Sequence, residues 1–485
     1  MSVTGAKFGP TIRVSSDTAD RHAAFEAVER VATDDAIAVL PVGPTGSPEP
    51  LCLCTIDGTT AFHTGPTPER AADLAASLAD GDVPTENADA VVDHDPATEA
   101  LPVPDSGPLS VGRRRVLGPC GWVDPTEKPT PATGTVDPTA IRSRVAAVDV
   151  RGRGRADGAR DVSIADLWGR ARDAEGDSIL IVHAADTDAP ADELLCRGAA
   201  GHVLDAASIV ADAVGATDVV AFASEGASEV LGAVESDVTI HTAPETFRVG
   251  EPTMALEALE GNDRIEARRR PPGPETWGLY GRPTVIHTPR TLLQIRALLA
   301  DDSGGATGTR LLTVRGAVSS PATVELREDQ PLSVALEAVE TDGDRYVVGG
   351  RFGGLTETLG VPASPPALEA ANLGTEGVLE VLGPGDCVVA TAGERAAFAR
   401  EENCGRCVPC REGSKQLHIA LRGVYDGDFD GDGLRTLARV MRTTSLCAFG
   451  EAAARPVRTA LDAFEPEFRA HAEGRCPAGV CEGLE

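Results

Sequence analysis

Apolar residues change their spacing several times along this chain, and each change predicts a different kind of element. Over residues 1–85, the runs AIAVLPV and EPLCLCTIDGTTAFHTG predict strands meeting at a turn. TPERAADLAASLADG then predicts a helix entered at Thr-Pro, with apolar residues at helical spacing. Between 86 and 137 the periodicity stops. Pro, Asp and Thr dominate (DHDPATEALPVPDSGP, WVDPTEKPTPATG), which predicts a linker.

From 138 to 300 the pattern alternates. DPTAIRSRVAAV predicts a helix, RGRGRADGAR a glycine-bearing loop, SILIVHAAD a strand, AASIVADAVGA a helix and DVVAFAS a second strand. That order predicts an α/β sandwich. Residues 301–365 (GTRLLTVRGAV, ATVELRE, PLSVALEAV, DRYVVGG) predict a compact β-rich module with one short helix. Residues 366–475 form a last domain, helical from about 390, before a tail at 476–485.

Length and composition fit this multidomain reading. A chain of 485 residues is too long for one ordinary core, so three or four domains are expected. Hydrophobic residues make up 42% but aromatics only 4%, so the cores must be built from Ala, Val, Leu and Ile. The net charge of -31 is dispersed, and lysine occurs only at Lys7, Lys128 and Lys415. Such a surface suits a salt-saturated cytoplasm, a halophilic trait; the other reading is an acidic patch for a basic partner. No basic face is visible, which excludes nucleic acid as a partner. No stretch approaches the roughly 20 apolar residues of a membrane span, and SIVADAVGATDVVAFA is broken by Asp212 and Asp218. No secretory run opens the chain, so a cytoplasmic location without direct membrane insertion is expected. There, eleven cysteines are better candidates for metal ligands than for disulfides.

The strongest chemical pattern is ENCGRCVPCREG, with Cys404, Cys407 and Cys410 at CxxCxxC spacing. A 4Fe–4S cluster needs four thiolates around a cube, and one short loop supplies several at little closure entropy. Cys447, in TTSLCAFGEAAARP, is the candidate fourth ligand, returned to the loop by the helical stretch LRTLARVMRTT. Arg406 and Arg411 flank the thiolates, and the N-terminus of a helix over REGSKQLHIALRGV would also offset their charge. Zinc and a group of reduced thiols are the rival readings, but structural zinc more often uses paired CxxC knuckles.

ENCGRCVPCREG followed by SLCAFGEAAARPV resembles the cluster loop and return segment of the NADH-oxidising flavoprotein subunit of respiratory NADH:quinone oxidoreductase. The same module serves as the diaphorase of NAD-reducing hydrogenases and formate dehydrogenases. RRRVLGPCGWVDPTE, VRGRGRADG, VGEPTMALEALEG and RRPPGPETWGLYGRPTVIHT follow in the family's order, so the likeness covers nearly the whole chain. The resemblance implies an α/β multidomain fold: a thioredoxin-like unit at 1–85, a flavoprotein-like domain at 138–300, an SLBB-like β-grasp module at 301–365 and a helical 4Fe–4S domain at 366–475. It also implies FMN and NAD as cofactors, NADH as substrate, and other subunits of a redox complex as partners.

The implied flavin and NAD contacts that remain are Gly152, Gly154, Asp186, Gly250 and Glu251. Where the family's flavin loop reads Gly-Arg-Gly-Gly-Ala-Gly-Phe-Pro-Thr-Gly, this chain places Arg155, Ala156 and Asp157 after Gly154. Ala184, Thr187, Pro252, His287 and Thr288 replace further polar partners of the family. The reading adopted is therefore an electron carrier with one 4Fe–4S cluster. An active FMN-dependent NADH:acceptor oxidoreductase and a non-enzymatic scaffold with a structural cluster are the alternatives.

Cys52 and Cys54 are expected on a strand, facing opposite sides, as structural residues rather than ligands of a second cluster. Cys120, Cys196 and Cys387 read as isolated apolar fillers. Cys476 and Cys481 in GRCPAGVCEGLE stand where hydrogenase-type members join a ferredoxin domain, and no such domain is expected here. Free thiols, a redox pair and half of an intersubunit metal site all remain open for them. DGDFDGDG lacks the twelfth-position Glu of a calcium loop, having Leu437 there, so Asp432 is expected to cap the following helix. His183 and His287 read as hydrogen-bonded structural residues. On the cluster reading, Cys447→Ser is expected to abolish the brown absorbance and the paramagnetic signal of the reduced protein, measured by visible and electron paramagnetic resonance spectroscopy.

Overall fold

The protein is described by a computed structural model over residues 9–15, 19–32, 37–130, 137–157, 162–300 and 308–481. Lys7 and the ends of the glycine-bearing loop and of the tail lie outside these described residues. The first unit contains β1 (Thr11–Ser15), α1 (Ala19–Val31), β2 (Ala38–Val42), β3 (Leu51–Ile56), β4 (Thr59–Thr64), α2 (Pro68–Ala79) and β5 (Ala90–Asp93). Its sheet has the order β2-β1-β3-β4-β5, with β1 parallel to β2 and the other pairs antiparallel. Thr67 caps α2 by accepting the Arg70 amide, and Pro68 occupies the first turn, where no N–H is needed.

Cys52 and Cys54 correct the expectation of opposite faces. Side chains two positions apart on a strand share a face, and both thiols pack with Ile12, Val14, Leu74 and Leu78. They are hydrogen-bonded to each other. Leu51 and Leu53 point the other way, against Leu101 and Trp122.

Those last two residues belong to the stretch read as a linker. It is instead a packed strap: β5 extends the sheet, and Leu101, Val116, Leu117, Cys120 and Trp122 are buried. The reason lies in the helix it crosses. A Cβ at Gly201 would overlap the Glu127 carbonyl oxygen, and one at Gly198 would stand 2.9 Å from Cys120 Sγ. Small residues thus cut a notch that the strap fills.

The second unit comprises α3 (Pro138–Ala147), α4 (Ile164–Asp173), β6 (Ser178–Ala184), α5 (Pro190–Val214), β7 (Ala216–Ala223), α6 (Glu225–Ala233), β8 (Thr239–Thr242), α7 (Pro252–Leu259), β9 (Thr284–His287) and α8 (Pro289–Ala300). Its strands are all parallel in the order β8-β7-β6-β9. The chain moves one way from β6 to β7 and the other way to β9, so a crevice opens where the order reverses. The notched helix is α5, which by length and composition could cross a membrane, but 72% of its most apolar window is buried inside the fold. It is a core helix here.

The third unit holds β10 (Thr309–Gly316), β11 (Ala322–Arg327), β12 (Arg345–Val348), β13 (Gly354–Thr356), α9 (Pro365–Ala370) and β14 (Val378–Leu382), in the order β11-β10-β14-β12-β13. Because β14 lies at the centre of this sheet, the unit continues to 382 and does not close at 365. The last unit is a bundle of α10 (Val388–Glu402), α11 (Val408–Tyr425), α12 (Gly431–Thr444), α13 (Ala448–Ala452) and α14 (Arg455–Ala472). Asp430, not Asp432, caps α12 by accepting the Gly433 amide, so the cap lies two residues earlier than expected.

Glu325 on β11 ties the strap to the third sheet. Fully buried, it accepts the Thr309 hydroxyl at 2.6 Å and the Val116 and Leu117 amides at 2.9 and 3.2 Å. Removing it strands the buried Val116 and Leu117 amides, while the Thr309 hydroxyl keeps Gln294 Oε1 at 3.1 Å. Glu325→Ala is therefore expected to cost about 2–4 kcal/mol, read as a lower denaturation midpoint in urea.

Candidate functional site

Cys404, Cys407, Cys410 and Cys447 line one small cavity, closed by Met254, Ala267, Leu446 and Phe449. The loop owes its shape to Gly405, at φ +78, which gives its amide to Asn403 Oδ1 at 3.0 Å. Cys407 immediately precedes α11 and Cys410 sits in its first turn, while Cys447 immediately precedes α13. Two glycines allow the helices to converge. A Cβ on Gly413 would meet Met441 Cγ at 2.6 Å, and one on Gly450 would meet Ser445 Oγ at 2.5 Å and Cys410 Cβ at 2.9 Å.

The thiols differ in acidity for local reasons. A hydrogen bond from Cys410 holds Cys407 down at about 5, with help from the Leu446 amide, and the same contact pushes the donor Cys410 up. Burial pushes Cys447 up to about 12, aided by the nearby Glu251 carboxylate and opposed by the Gly450 and Phe449 amides. Thiolates so enclosed need a cation, and four converging sulfurs in an apolar cavity fit an iron–sulfur cube.

The crevice of the parallel sheet is different. Each of the glycines expected at a cofactor is filled by a charged side chain of this chain. A Cβ on Gly250 would overlap Arg155 Nη2, one on Gly152 would overlap Asp157 Oδ1, and one on Gly154 would lie 2.5 Å from Arg290 Nη2. Arg155 donates to Asp186 from Nε at 3.0 Å and from Nη2 at 2.7 Å, and also to the Phe247 carbonyl, with its guanidinium 3.5 Å above the Phe247 ring. Burial would push the Asp186 carboxyl up, but Arg155 outweighs this and holds it below its usual range. Asp157 accepts His287 Nδ1–H at 2.8 Å, and His287 Nε2 accepts the Trp168 indole N–H at 2.8 Å. Glu251 caps α7, accepting Thr253 and Met254 amides, and pairs with Arg270 at 3.3 Å. His183 binds the Val249 carbonyl at 2.7 Å and belongs to no group of three or more possible metal ligands among the described residues.

The cofactor contacts expected at Gly152, Gly154, Asp186, Gly250 and Glu251 are therefore satisfied internally. These residues do not fit FMN, because Asp157 puts a carboxylate beside Gly152 while Arg155 and Arg290 occupy the space beside Gly250 and Gly154. Beside Arg155 an open cleft of about 300 Å³ remains. Its walls carry Arg155, Arg442, Arg455 and Arg458 but also Asp188, Glu369, Glu376 and Glu451, so they offer no net attraction for a phosphate.

Cys387 corrects another expectation. It is not an isolated filler, because Cys387, His471, Cys476 and Cys481 place their ligand atoms within 4.8 Å of one another. Burial pushes Cys387 up to about 12, whereas backbone amides of Cys481, Val480 and Ala478 overcome burial and hold Cys476 at about 6. The spacing HxxxxCxxxxC in HAEGRCPAGVC was the available signal, but Cys387 lies too far back in sequence to be joined to it without the fold. The chain also spends its few aromatics here. Phe247, Phe352, Phe398 and Phe449 stack edge to face between the crevice and the cluster cavity, with centroids 4.9–5.8 Å apart. Gly450→Ala is expected to push the Cys447 segment off Cys410 and to reduce bound iron to less than half of about four per chain, measured by elemental analysis.

Residues 390–471 match the family described as NADH-ubiquinone oxidoreductase-F iron-sulfur binding region. Over 274 residues the chain is 29% identical to the NADP-reducing hydrogenase subunit HndC of Solidesulfovibrio fructosivorans, covering 51% of this chain and 55% of that protein. It is 31% identical to the NADH-quinone oxidoreductase F subunit of Streptomyces coelicolor, over 51% of this chain and 60% of that one. For the mitochondrial NADH dehydrogenase (ubiquinone) flavoprotein 1 of Dictyostelium discoideum the figures are 30%, 48% and 53%. The chain thus spans less than two thirds of the length of these relatives. A solved NAD+-reducing [NiFe]-hydrogenase shares the fold, with a TM-score of 0.64 at 22% identity over 95% of this chain and 84% of that one. Over about half its length the chain is thus similar to NADH-quinone oxidoreductase F subunits and to the hydrogenase subunit HndC, and its residues 390–471 are similar to the NADH-ubiquinone oxidoreductase-F iron-sulfur binding region.

Proposed function

We propose that this protein is an electron-transfer subunit of a larger redox complex, working through one 4Fe–4S cluster held by Cys404, Cys407, Cys410 and Cys447. The observation that carries the reading is the pairing of a complete thiol cage with a crevice filled by Arg155, Asp157 and Arg290. When bound, the cluster supplies a reversible one-electron carrier. The chain's own residues bind and tune it. The amides of Leu446, Phe449 and Gly450 point at the Cys407 and Cys447 sulfurs and favour the more reduced, more negative state. The N-terminus of the 18-residue α11 acts in the same direction, and Glu251 acts against both. Met254, Ala267, Leu446 and Phe449 keep water out of the cage.

Names printed for the relatives, hydrogenase and quinone oxidoreductase subunits, support partner subunits for this reading. We assign the third unit as a β-grasp module because its first and last strands, β10 and β14, lie parallel at the centre of the sheet. A thioredoxin-like origin for the first unit is supported by its central mixed sheet with α1 and α2 on one face.

Anaerobic purification with iron, sulfide and flavin measured together tests the proposal. About four iron and four sulfide per chain are expected with no bound flavin, and dithionite but not NADH should bleach the brown absorbance. Stoichiometric flavin with bleaching by NADH would replace this reading by an active NADH:acceptor oxidoreductase.

A further inference from the structure

Resting on the cluster reading above, we propose that the Ser445 hydroxyl donates a hydrogen bond to the Cys410 sulfur when the cluster is bound, and so raises the potential at which the cluster accepts an electron.

Ser445 closes α12. Its extended backbone, at φ -68 and ψ 153, ends the helix, and its amide donates to the Met441 carbonyl at 3.1 Å. The two hydroxyls before it fold back on their own helix, Thr443 onto the Arg439 carbonyl at 2.9 Å and Thr444 onto the Val440 carbonyl at 2.7 Å. The Ser445 hydroxyl does not. Its oxygen is out of solvent and has no hydrogen-bond partner among the described residues. Leaving a buried donor unsatisfied costs free energy, so this group calls for an acceptor.

An acceptor lies next to it. The point where a Gly450 side chain would begin is 2.5 Å from Ser445 Oγ and 2.9 Å from Cys410 Cβ. The hydroxyl and the cysteine thus face one another across a gap no wider than one absent methyl group. Side-chain rotation, with no shift of backbone, can bring oxygen to sulfur there.

The four sulfurs do not share donors equally. Cys407 has the Leu446 amide, and Cys447 has those of Gly450 and Phe449. Cys410 is instead pushed up by its contact with Cys407, by burial and by the charges of Cys447 and Cys404. As a free thiol it donates to Cys407; as a cluster ligand it is deprotonated and becomes an acceptor. The sulfur without one of these amides and the hydroxyl without an acceptor are therefore neighbours.

The effect has a sign. Hydrogen bonds to cluster sulfur favour the reduced, more negative state and raise the potential. The amides are held by helix termini, whereas the hydroxyl is aimed by a single side-chain torsion, so position 445 tunes the carrier without disturbing its cage. No bond is made or broken: one electron enters from the reductant, and the proton stays on Ser445 Oγ in both states.

The full chain is purified anaerobically with its cluster, and its paramagnetic signal is titrated with dithionite and mediator dyes. Ser445→Ala should keep about four iron per chain and lower the reduction equilibrium constant about fivefold to tenfold, roughly 40–60 mV for one electron. Thr444→Ala, which removes a hydroxyl already bonded to its own helix, should leave the potential in place. An unchanged or higher potential in Ser445→Ala overturns the proposal, as does an equal fall in Thr444→Ala. Should Ser445→Ala lose its iron, the wild type decides. After brief transfer into D2O, hydroxyl protons exchange before amides held in helix termini, so a deuteron coupled to the reduced cluster in pulsed electron paramagnetic resonance supports the bond and its absence overturns it. Wild type that holds no iron overturns the cluster reading and this proposal together; iron-loaded wild type indifferent to Ser445→Ala overturns this proposal alone.

Discussion

The close contact between Gly450 and Cys410 is the constraint on which the cluster domain turns. Thiolates repel one another, so a cage of four can only form if backbone, not side chains, brings the segments together. Here α12 returns the chain to the CxxCxxC loop, and the missing side chain at Gly450 lets Cys447 reach it. A second glycine, Gly413, lets α12 lie close against α11. Packing at these two points sets the cavity; the sulfurs follow.

The crevice shows the opposite use of glycine. At Gly152, Gly154 and Gly250 the space left by an absent Cβ admits Asp157, Arg290 and Arg155. Buried charges are tolerated there because each has a partner, as Arg155 has Asp186 and Arg290 has Asp192 at 2.7 Å. Spacing that the resemblance assigns to a ligand holds ion pairs here. The same positions hold the sheet's switch point together, since Arg290 also donates to the Glu376 carbonyl in the third unit.

Much of this was legible from sequence, and the reasons are local. CxxCxxC with a later cysteine is a short-range pattern, and periodicity placed the helices around it. The mixed α/β character and the helical C-terminal region were also readable, because strand and helix spacings change along the chain. Two features were not. The strap at 86–130 looked like linker because its prolines hide periodicity, while the notch that receives it lies on α5, far along the chain. Cys387 looked isolated because its partners come from the end of the bundle. The Cys52 and Cys54 faces were misassigned, although strand alternation alone puts them together. Arg155 was visible as a departure from the family's glycines, but its stacking on Phe247 needed the fold.

The strap has a mechanical consequence. Residues 101–127 are laid into the notch of α5 and tied by Glu325 to the third sheet, so the N-terminal unit is mounted and not tethered. A molecule that docked on that unit would be presented to the rest of the protein in one orientation and at one separation. Because single-electron exchange falls off steeply with distance, such a mount would select for one rate where a loose hinge would average over many.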